Sequence, residues 1–364
     1  MLIANDSQGR GSVGSMKYSI IKADIYNAKR EILALWKRNA LPLPEERFSW
    51  MYENNPAGPA MCHLAVERET DSVIGAAGLF PRWVLINGKP KRAGVVGDFV
   101  IDKYHRGFGP ALALDKATTS QSERENFEIL YGFPNELSRP VLLRGGWKIL
   151  GSTARLTKPL RSFSHAKKHI DIPILTGPAS KCIDLIMKLS SKEMYRRRSE
   201  DYLFQNLNTF DRRFDELWAK ASGQFPIIGV RDSSYLTWRF QHHPEKCYLI
   251  SILMRKQSDE ILGYIIYYKD GERSQIEDLF FLEEGEILDC LIFEFLACQR
   301  KERIDFITFN YLGAPRMAKK FMEYGFFLRG DDYPVLVYAS SNSAFLSDVL
   351  EVDKCHLACG DRDL

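Results

Sequence analysis

The sequence predicts an α/β fold of the α+β layered type, in which one domain plan occurs twice along the chain. In each of the two tandem domains we expect a mixed, mostly antiparallel central sheet flanked by helices. Two observations predict this fold: tryptophan, proline and glycine recur at one fixed spacing, and helix-like and strand-like stretches alternate in the same order in both halves. The length of 364 residues also suits two domains that each bury a core.

The repeat is a spacing of 188 residues between matching positions. Further along the chain Asp98 matches Asp278 at a spacing of 180, so a loop is about eight residues shorter in the second half. Three matches at one spacing are hard to obtain by chance, and they predict a duplicated domain. The pairs at 188 are Trp50 with Trp238, Pro56 with Pro244, and Gly75 with Gly263.

Hydrophobic periodicity assigns the first elements of the first half. Apolar residues at helical intervals predict an amphipathic helix over residues 23–39. Three β-rich runs follow, and Asn87-Gly88 between the last two is typical of a tight hairpin, because both residue types tolerate a positive φ. We therefore expect three antiparallel strands after the helix. The runs cover residues 62–68, 72–86 and 91–102.

A second group of elements completes the predicted domain, and the second half repeats the order. A helix is expected over 110–125, a strand over 127–133, a helix over 137–143 and a strand around Trp147. Glycine, serine and proline then indicate a connection. The predicted division is a flexible tail at 1–16, a first domain at 17–155, a connecting segment at 156–194, a second domain at 195–340 and a C-terminal appendage at 341–364.

Composition excludes several classes of function. Hydrophobic residues make up 45% of the chain and charged residues 27%, as in ordinary globular proteins. The net charge of +3 is too small to argue for a nucleic-acid partner, and no apolar run approaches the roughly 20 residues that span a bilayer. Seven cysteines without a CxxC pair predict reduced thiols, a cytoplasmic location and no metal site.

Residues 104–114, YHRGFGPALAL, carry the strongest chemical signal. Gly107 and Gly109 flank Phe108 directly before a predicted helix, so that backbone N–H groups can approach a ligand closely. Pro110 suits the first helical turn, where its missing N–H is not needed. The helix N-terminus attracts anions, and the planar guanidinium of Arg106 matches phosphate oxygens. The stretch therefore predicts a cradle for a diphosphate.

The segment 97–114, GDFVIDKYHRGFGPALAL, resembles the acyl-coenzyme-A-binding motif of the GNAT N-acetyltransferase superfamily. The motif has Arg or Gln, two residues, Gly, one residue, then Gly or Ala, and Arg106, Gly109 and Ala111 match it. Residues 131–147 are similar to the second motif of that superfamily. The resemblance covers about residues 20–155, and residues 195–340 by repetition.

The resemblance implies a set of residues that bind the cofactor, acetyl-CoA or another acyl-CoA. The strand Phe99, Val100 and Ile101 would pair through its backbone with the pantetheine arm. Asn135 would bond the pantetheine or, alternatively, cap the following helix. The pyrophosphate would lie against Arg106, Gly107, Phe108, Gly109, Pro110 and Ala111.

The resemblance also implies catalytic candidates. Asp98 begins the strand that would line the acyl carbonyl, so it is the first candidate for the general base, although its recurrence as Asp278 fits a structural role equally well. Many superfamily members carry a tyrosine as general acid where this chain has Leu142. Tyr131 on the preceding strand is the substitute candidate, with a packing role as the alternative.

Acceptor binding is assigned to the loop between the first helix and the first strand, where related domains bind the acceptor. Aromatic side chains beside amides can stack on a ring and bond its hydroxyl groups. A core role for Trp50 is the alternative, because Trp238 repeats it. The candidates are Trp50, Tyr52, Asn54 and Asn55.

The second half lacks the diphosphate cradle. Alignment at Asp278 puts Glu286 where Arg106 stands and Asp289 where Gly109 stands. Negative charge beside a diphosphate is unfavourable, by several kcal/mol at about 4 Å and an effective dielectric near 20. We therefore expect the second half not to bind coenzyme A in this way.

These observations predict an acyl-CoA-dependent, most simply acetyl-CoA-dependent, N-acyltransferase that acts on a primary amine of a small molecule or sugar. One alternative is a Fem-like aminoacyltransferase that takes its acyl group from charged tRNA, with the basic run from Arg139 to Lys168 holding RNA phosphates. Another is an acyl-CoA-binding protein without catalysis. The sequence leaves the oligomeric state open.

Overall fold

The computed structural model describes residues 17–39, 43–161, 192–196, 199–339 and 349–362. Within them, fourteen strands form one sheet, with helices packed on it in two similarly built halves. The predicted α/β fold is thus confirmed. The predicted tail at 1–16 and most of the predicted connecting segment lie outside the described residues.

The first half contains the predicted elements in the predicted order, after a strand that the sequence analysis did not predict. The predicted helix over 23–39 begins only at Lys29, because the side chain of Asp24 accepts the backbone N–H groups of Tyr26 and Asn27 and holds them in a turn. The elements are β1 (Tyr18–Ala23), α1 (Lys29–Arg38), α2 (Glu45–Phe48) with the π-helical turn Ser49–Glu53, β2 (Met61–Glu67), β3 (Val73–Ile86), β4 (Lys89–Ile101), α3 (Phe108–Arg124), β5 (Ile129–Gly132), α4 (Arg139–Arg144) and β6 (Lys148–Pro159).

The second half repeats these elements and adds two strands. The strands without a predicted counterpart are β8, which pairs with β3, and the C-terminal β14. The elements are β7 (Tyr202–Leu207), α5 (Arg212–Ala221), β8 (Ile227–Gly229), α6 (Ser233–Leu236) with the π-helical turn Thr237–Gln241, β9 (Leu249–Arg255), β10 (Ile261–Asp270), β11 (Arg273–Phe281), α7 (Glu286–Lys301), β12 (Phe306–Gly313), α8 (Pro315–Glu323), β13 (Phe327–Tyr338) and β14 (Cys355–Ala358).

The last long strand of each half crosses into the other half. The sheet runs in the order β1-β2-β3-β4-β5-β13-β6-β12-β11-β10-β9-β7. β13 of the second half therefore pairs with β5 of the first, β6 of the first pairs with β12 of the second, and the two exchanged strands pair with each other. The predicted first domain ended at residue 155, whereas β6 continues through Pro159 along β12. The exchange makes the two halves one continuous sheet.

Local backbone chemistry follows the sequence closely at the β3–β4 hairpin. Asn87 and Gly88 have φ of 50° and 74°, so both occupy the left-handed region that the Asn-Gly pair predicted. On one face of the first half, α3 and α4 pack on the sheet through residues such as Leu114 and Leu142, and Trp147 of the turn after α4 joins the same apolar cluster as Leu142. No helix in the described part of the chain is both long and apolar enough to cross a membrane.

The two π-helical turns meet between the halves through Trp50 and Trp238. Their rings stack with centroids 5.0 Å apart, and each indole N–H donates to the backbone carbonyl of the other tryptophan, at 2.7 and 2.9 Å. Both side chains are buried. The repeated tryptophan is therefore a reciprocal contact that joins the two copies, which is the core role that the sequence left open for Trp50.

A buried ionic cluster also joins the halves through Asp361, which is fully buried. Its carboxylate accepts from Arg82 of β3 at 2.5 Å and from Arg231 of the second half at 2.7 Å. Arg231 also donates to Asp278. Burial alone would raise the pKa of Asp361, but the two guanidinium groups outweigh it and lower the pKa below its ordinary value. Gly229 leaves room for this pair, since a Cβ there would overlap the Arg82 guanidinium.

The C-terminal segment is built into the second half. Pairing between β11 and β12 ends at Ile276 and Phe309, and beyond that point β14 pairs antiparallel with residues 311–313 of β12. The turn Cys359–Asp361 then packs against β11. The sequence predicted an appendage from residue 341; instead, residues 355–361 fill the opening between β11 and β12, because their apolar side chains and Asp361 find buried partners there.

Asp361→Asn tests the cluster. The variant keeps the shape of the side chain but leaves Arg82 buried without a full counter-charge, which typically costs about 3–5 kcal/mol. We expect the free energy of unfolding, measured by urea denaturation at pH 7, to fall by about that amount. Asp353→Asn, at an exposed position on the same segment, should change it by less than about 0.5 kcal/mol. Equal stability of the two variants would contradict the structural role of Asp361.

Candidate functional site

The candidate site begins where β4 and β5 separate. The two parallel strands pair from Ala93 to Val96 of β4. Beyond Gly97, β4 continues to pair with β3 as far as Ile101, but no strand among the described residues pairs with its other edge. This edge includes the backbone of Phe99, Val100 and Ile101, which was predicted to meet the pantetheine arm. An unpaired strand edge offers a row of backbone donors and acceptors for an extended ligand.

Asp98 lies at an irregularity of β4 where the strands separate. The register between β3 and β4 shifts there, and Asp98 has a φ of 49°, which is unusual for a residue other than glycine. Its side chain is almost fully buried and accepts two hydrogen bonds from Arg47, both 3.0 Å, and one from the hydroxyl of Tyr52 at 3.1 Å. These contacts favour the structural alternative for Asp98, because the ion pair with Arg47 holds the strained strand in place.

The loop between β4 and α3 is shaped by its own side chains. Asp102 accepts the backbone N–H of Tyr104 at 3.1 Å and the guanidinium of Arg38 at 3.0 Å. Asn39 accepts the backbone N–H of Lys103 at 2.8 Å. Burial alone would raise the pKa of Asp102, but the Tyr104 N–H and Arg38 outweigh it and lower the pKa. The start of the loop that carries Arg106 is therefore held against the C-terminal end of α1.

The N-terminus of α3 carries no side-chain cap. Gly107 precedes the helix with an extended backbone, and no side chain accepts a hydrogen bond from the first turn at this cap position. The first backbone N–H groups of a helix have no partner within it, so they point to the loop. Arg106 and Gly109 are exposed beside them, while Ala111 lies on the buried face of α3. The predicted diphosphate residues are thus together at one helix end, and the arrangement suits an anion.

The corresponding end of α7 in the second half is already occupied by a carboxylate. Glu283 accepts the backbone N–H groups of Glu286 and Ile287, at 3.0 and 3.3 Å. Both α3 and α7 begin directly after a glycine, Gly107 and Gly285. This corrects the alignment made at Asp278: Glu284, rather than Glu286, stands where Arg106 stands.

The acidic residues of the second half have partners of their own. Glu284 pairs with Arg316 at 2.7 Å. Asp289 accepts from Lys192 and Lys320, at 3.2 and 3.1 Å, and from the hydroxyl of Tyr324. The structure thus gives the second half an internally neutralised helix end where the first half has an uncapped one beside Arg106.

Tyr131 is buried and bonded. Its hydroxyl donates to the backbone carbonyl of Asp361 at 3.1 Å, and burial raises its pKa above the ordinary value. A tyrosine that acts as general acid must give its proton to the leaving thiolate, and this proton is already directed at Asp361. The geometry therefore favours packing for Tyr131, and Leu142 is part of the apolar core.

Asn135 caps the turn that leads into α4. Its side-chain oxygen accepts the backbone N–H groups of Leu137 and Ser138, both at 3.0 Å, and the hydroxyl of Ser138 at 3.1 Å. This is the capping alternative that the sequence left open.

The basic run from Arg139 to Lys168 does not form one exposed surface over its described residues. Lys158 is buried and lies 3.5 Å from Glu193.

The four acceptor candidates separate into two groups. Tyr52 is buried against Asp98, and Asn55 is buried with its amide donating to the carbonyl of Pro81 at 2.9 Å. Trp50 and Asn54 border a cleft of about 920 Å³ between the two halves, here called the outer cleft. Matching positions of both halves line it, among them Glu46, Ser49, Asn54, Ser234, Thr237 and His242.

The residues that position the site were mostly missed in the sequence. Arg47 fixes Asp98, and Arg82 and Asp361 bring the C-terminal turn against Tyr131. Single arginines and aspartates carry no periodic signal, so only their partners in space identify them.

Helix α3 is also tied to the start of β6 by a buried carboxyl group. Asp115 accepts the indole N–H of Trp147 at 2.9 Å, and its other oxygen is buried without a hydrogen-bond partner among the described residues. A Cβ at Gly145 would overlap this carboxyl group, so glycine is required there. Burial raises the pKa of Asp115 to about 7, with the Trp147 N–H opposing the shift.

Solved structures resemble this fold, whereas no protein-family model and no curated protein matches the sequence. A probable N-acyltransferase from Enterococcus faecalis V583 superposes with a TM-score of 0.67 at 12% identity, over 91% of this chain and 75% of that chain. A GCN5-related N-acetyltransferase from Anabaena variabilis superposes with a TM-score of 0.63 at 15% identity, over 88% of this chain and 72% of that chain.

N-myristoyltransferase from Saccharomyces cerevisiae, solved with bound myristoyl-CoA, is a third similar structure. Its TM-score is 0.55 at 11% identity, over 92% of this chain and 84% of that chain. The chain therefore has the GNAT fold, and the resemblance noted in residues 97–114 is confirmed at the level of the fold. At these identities the likeness establishes the fold alone.

Asp115 predicts a dependence of stability on pH. Because its pKa is raised in the folded protein, the folded state binds more protons than the unfolded state between about pH 4 and pH 7, and the free energy of unfolding falls as the pH rises through that range. Asp115→Asn removes this titration. From pH 4 to pH 8 we expect the variant to gain stability relative to the wild type, by up to about 4 kcal/mol for a shift of about three pKa units.

Urea denaturation at pH 4, 6 and 8 measures this difference. Asp353→Asn serves as the control, because its exposed carboxyl group should leave the pH profile unchanged. A constant difference between Asp115→Asn and the wild type at all three pH values would show that Asp115 does not titrate as described.

Proposed function

We propose that this protein is an acyl-CoA-dependent N-acyltransferase whose first half holds the acyl-CoA. The observation that carries the proposal is the uncapped N-terminus of α3 beside the exposed Arg106, next to the unpaired edge of β4. A nucleotide diphosphate can accept from the helix end and Arg106, while an extended arm can pair with residues 99–101. Three similar structures are named as acyltransferases, one of them solved with an acyl-CoA.

The difference between the two halves supports one acyl-CoA site. In the second half Glu283 takes the place of an anion at the helix end, and β14 fills the opening between the strands. A coenzyme A molecule there would have to displace a carboxylate and a strand. The first half presents neither obstacle among its described residues.

The acetyl group is the acyl group that we propose. One of the similar structures is named as a GCN5-related N-acetyltransferase, which supports this choice. For the acceptor we propose a primary amine of a small molecule or sugar that enters past Trp50 and Asn54 at the outer cleft.

A second candidate function is acyl-CoA binding without catalysis. It is favoured by the contacts of Tyr131 and Asp98, since the acid and base candidates are both engaged in structural hydrogen bonds. Release of free thiol from acetyl-CoA in the presence of an amine panel separates the two functions. Amine-dependent release supports the transferase, and tight binding without release supports the second candidate.

Arg106→Glu tests the diphosphate assignment. Reversing a charge beside a diphosphate replaces an attraction by a repulsion, so we expect the Kd for acetyl-CoA to rise tenfold or more, on the order of 1.4 kcal/mol or above. Titration calorimetry measures the Kd. Arg30→Glu makes the same charge change at an exposed position on α1 and should bind like the wild type. Unchanged binding by Arg106→Glu would remove the basis of the proposal.

A further inference from the structure

Glu277 lies in the second half at the position that matches Gly97, one residue before the repeated aspartate. The register between β10 and β11 shifts at this point, as it does between β3 and β4 at Asp98. The second half therefore carries a carboxylate where the first half has no side chain. Glu-Asp in place of Gly-Asp is the sequence signal of this difference.

The carboxylate of Glu277 has no hydrogen-bond or ion-pair partner in the described part of the chain. Its side chain is only 6% exposed, and none of the hydrogen bonds or ion pairs among the described residues involves it. The adjacent Asp278, by contrast, is bonded to Arg231 and to the hydroxyl of Tyr264. Burial raises the pKa of Glu277, and nearby cations only partly offset this. A buried charge without a partner is costly, so such groups are typical of functional sites.

Three cations lie near enough to favour the charged form of Glu277, namely Arg239, Lys246 and Arg362. The backbone carbonyl of Glu277 lies beside Gly360, whose own carbonyl accepts from Nε of Arg239 at 3.0 Å. Lys246 lies over the ring of Tyr268 at 5.0 Å, and Arg362 lies over the ring of Tyr333 at 3.9 Å. One guanidinium nitrogen of Arg239 and Nε of Arg362 are buried without acceptors among the described residues. Arg239 also lies over a ring, that of Trp50, at 5.4 Å. Aromatic rings thus lie against all three cations, and each of the two arginines keeps one unsatisfied donor among the described residues.

The charges around Glu277 do not balance. One carboxylate faces three cations, since Asp278 is already neutralised by Arg231. A ligand with an ammonium group alone would meet the excess of positive charge. A ligand that carries both an ammonium group and a carboxylate would complement Glu277 and the cations together. We call this the Glu277 pocket and define it by Glu277, Arg239, Lys246, Tyr248, Tyr268 and Arg362.

The pocket borders both the first half and the outer cleft. Arg362 lies over the ring of Phe133, which directly follows β5 where β4 and β5 separate, at 5.4 Å. On the other side, His243 contacts the rings of both Trp50 and Tyr248, with centroids 4.6 and 5.5 Å away. The Glu277 pocket therefore lies between the outer cleft and the opening proposed for the acyl-CoA arm.

We propose that the Glu277 pocket binds the acceptor, and that the acceptor is an α-amino acid. Glu277 accepts hydrogen bonds from the amino group in its ammonium form, and Lys246 and Arg362 bind the carboxylate. The tyrosines give the side chain of the ligand an apolar surface with hydroxyl groups at its edge. This inference rests on the proposed function and narrows its acceptor class.

The test uses the full chain, acetyl-CoA and an equimolar mixture of the twenty L-amino acids, with mass spectrometry of the N-acetylated products. Glu277→Gln keeps the shape of the side chain and removes its charge, so we expect the KM for the preferred amino acid to rise tenfold or more. Lys246→Met should raise it as well. Asp270→Asn, at an exposed position of the neighbouring hairpin, is the matched control and should leave KM unchanged. A KM unaffected by Glu277→Gln, with normal folding, would overturn the inference.

Two further measurements separate this inference from the proposed function. The decarboxylated amine of the preferred amino acid should be a poor acceptor; equal turnover of the amine would overturn the assignment of an α-amino acid. Saturation-transfer NMR with the same mixture, without acetyl-CoA, should detect amino-acid binding in the wild type and its loss in Glu277→Gln. If acetyl-CoA does not bind while the amino acid does, the proposed function fails and the Glu277 pocket stands. If acetyl-CoA binds and no amino acid binds, the inference about the Glu277 pocket fails and the proposed function stands.

Discussion

The buried carboxylate of Asp361 is the interaction on which the arrangement of the molecule depends. It lies between Arg82 of the first half and Arg231 of the second, and neither arginine could be buried at its place without a counter-charge. Backbone carbonyl groups of the turn that carries Asp361 also accept hydrogen bonds from the side chains of Tyr131, Tyr235 and Arg239. One short segment near residue 360 thus satisfies polar groups of both halves.

The same segment explains how two copies of one fold have come to differ. In the second half β14 and the turn after it fill the opening between β11 and β12, and Glu283 caps the helix that a diphosphate would need. In the first half, the opening between β4 and β5 and the N-terminus of α3 have no such occupant among the described residues. The second half has instead a carboxylate at Glu277, at a point where the first half has glycine. In the function that we propose, one copy would hold the acyl donor and the other would face it with the Glu277 pocket, so that a single reaction site would use both.

Much of the fold could be predicted from the sequence, because local patterns determine it. The spacing between Trp50 and Trp238, the Asn87-Gly88 hairpin and the glycine-rich entry to α3 each report local chemistry, and the structure has the expected element at each place. Periodicity shows that residues form a strand but not which strand lies beside it. The exchange of β6 and β13 and the insertion of β14 were therefore not predicted, since both depend on pairing between distant residues.

The candidate site divides in the same way. The glycine-rich entry to α3 is a contiguous motif, so its place before a helix could be predicted, and its role as a diphosphate site stays a prediction. The roles of Asp98 and Tyr131 depend on Arg47 and Asp361, which are distant in the chain. Asp361 lies in a segment without helical or strand periodicity, so nothing near it in the sequence indicates a buried charge. Glu277 was visible beside Asp278, but its lack of a partner is a property of the folded chain.

The exchanged strands have a consequence for biosynthesis. While the ribosome is still translating the second half, the first half has β5 without its neighbour β13, and β6 without its neighbour β12. The nascent first half therefore presents strand edges that only the last third of the polypeptide can cover. The sheet can close only after residues 327–338 of β13 have been translated, so an incomplete chain would keep exposed strand edges and be prone to association.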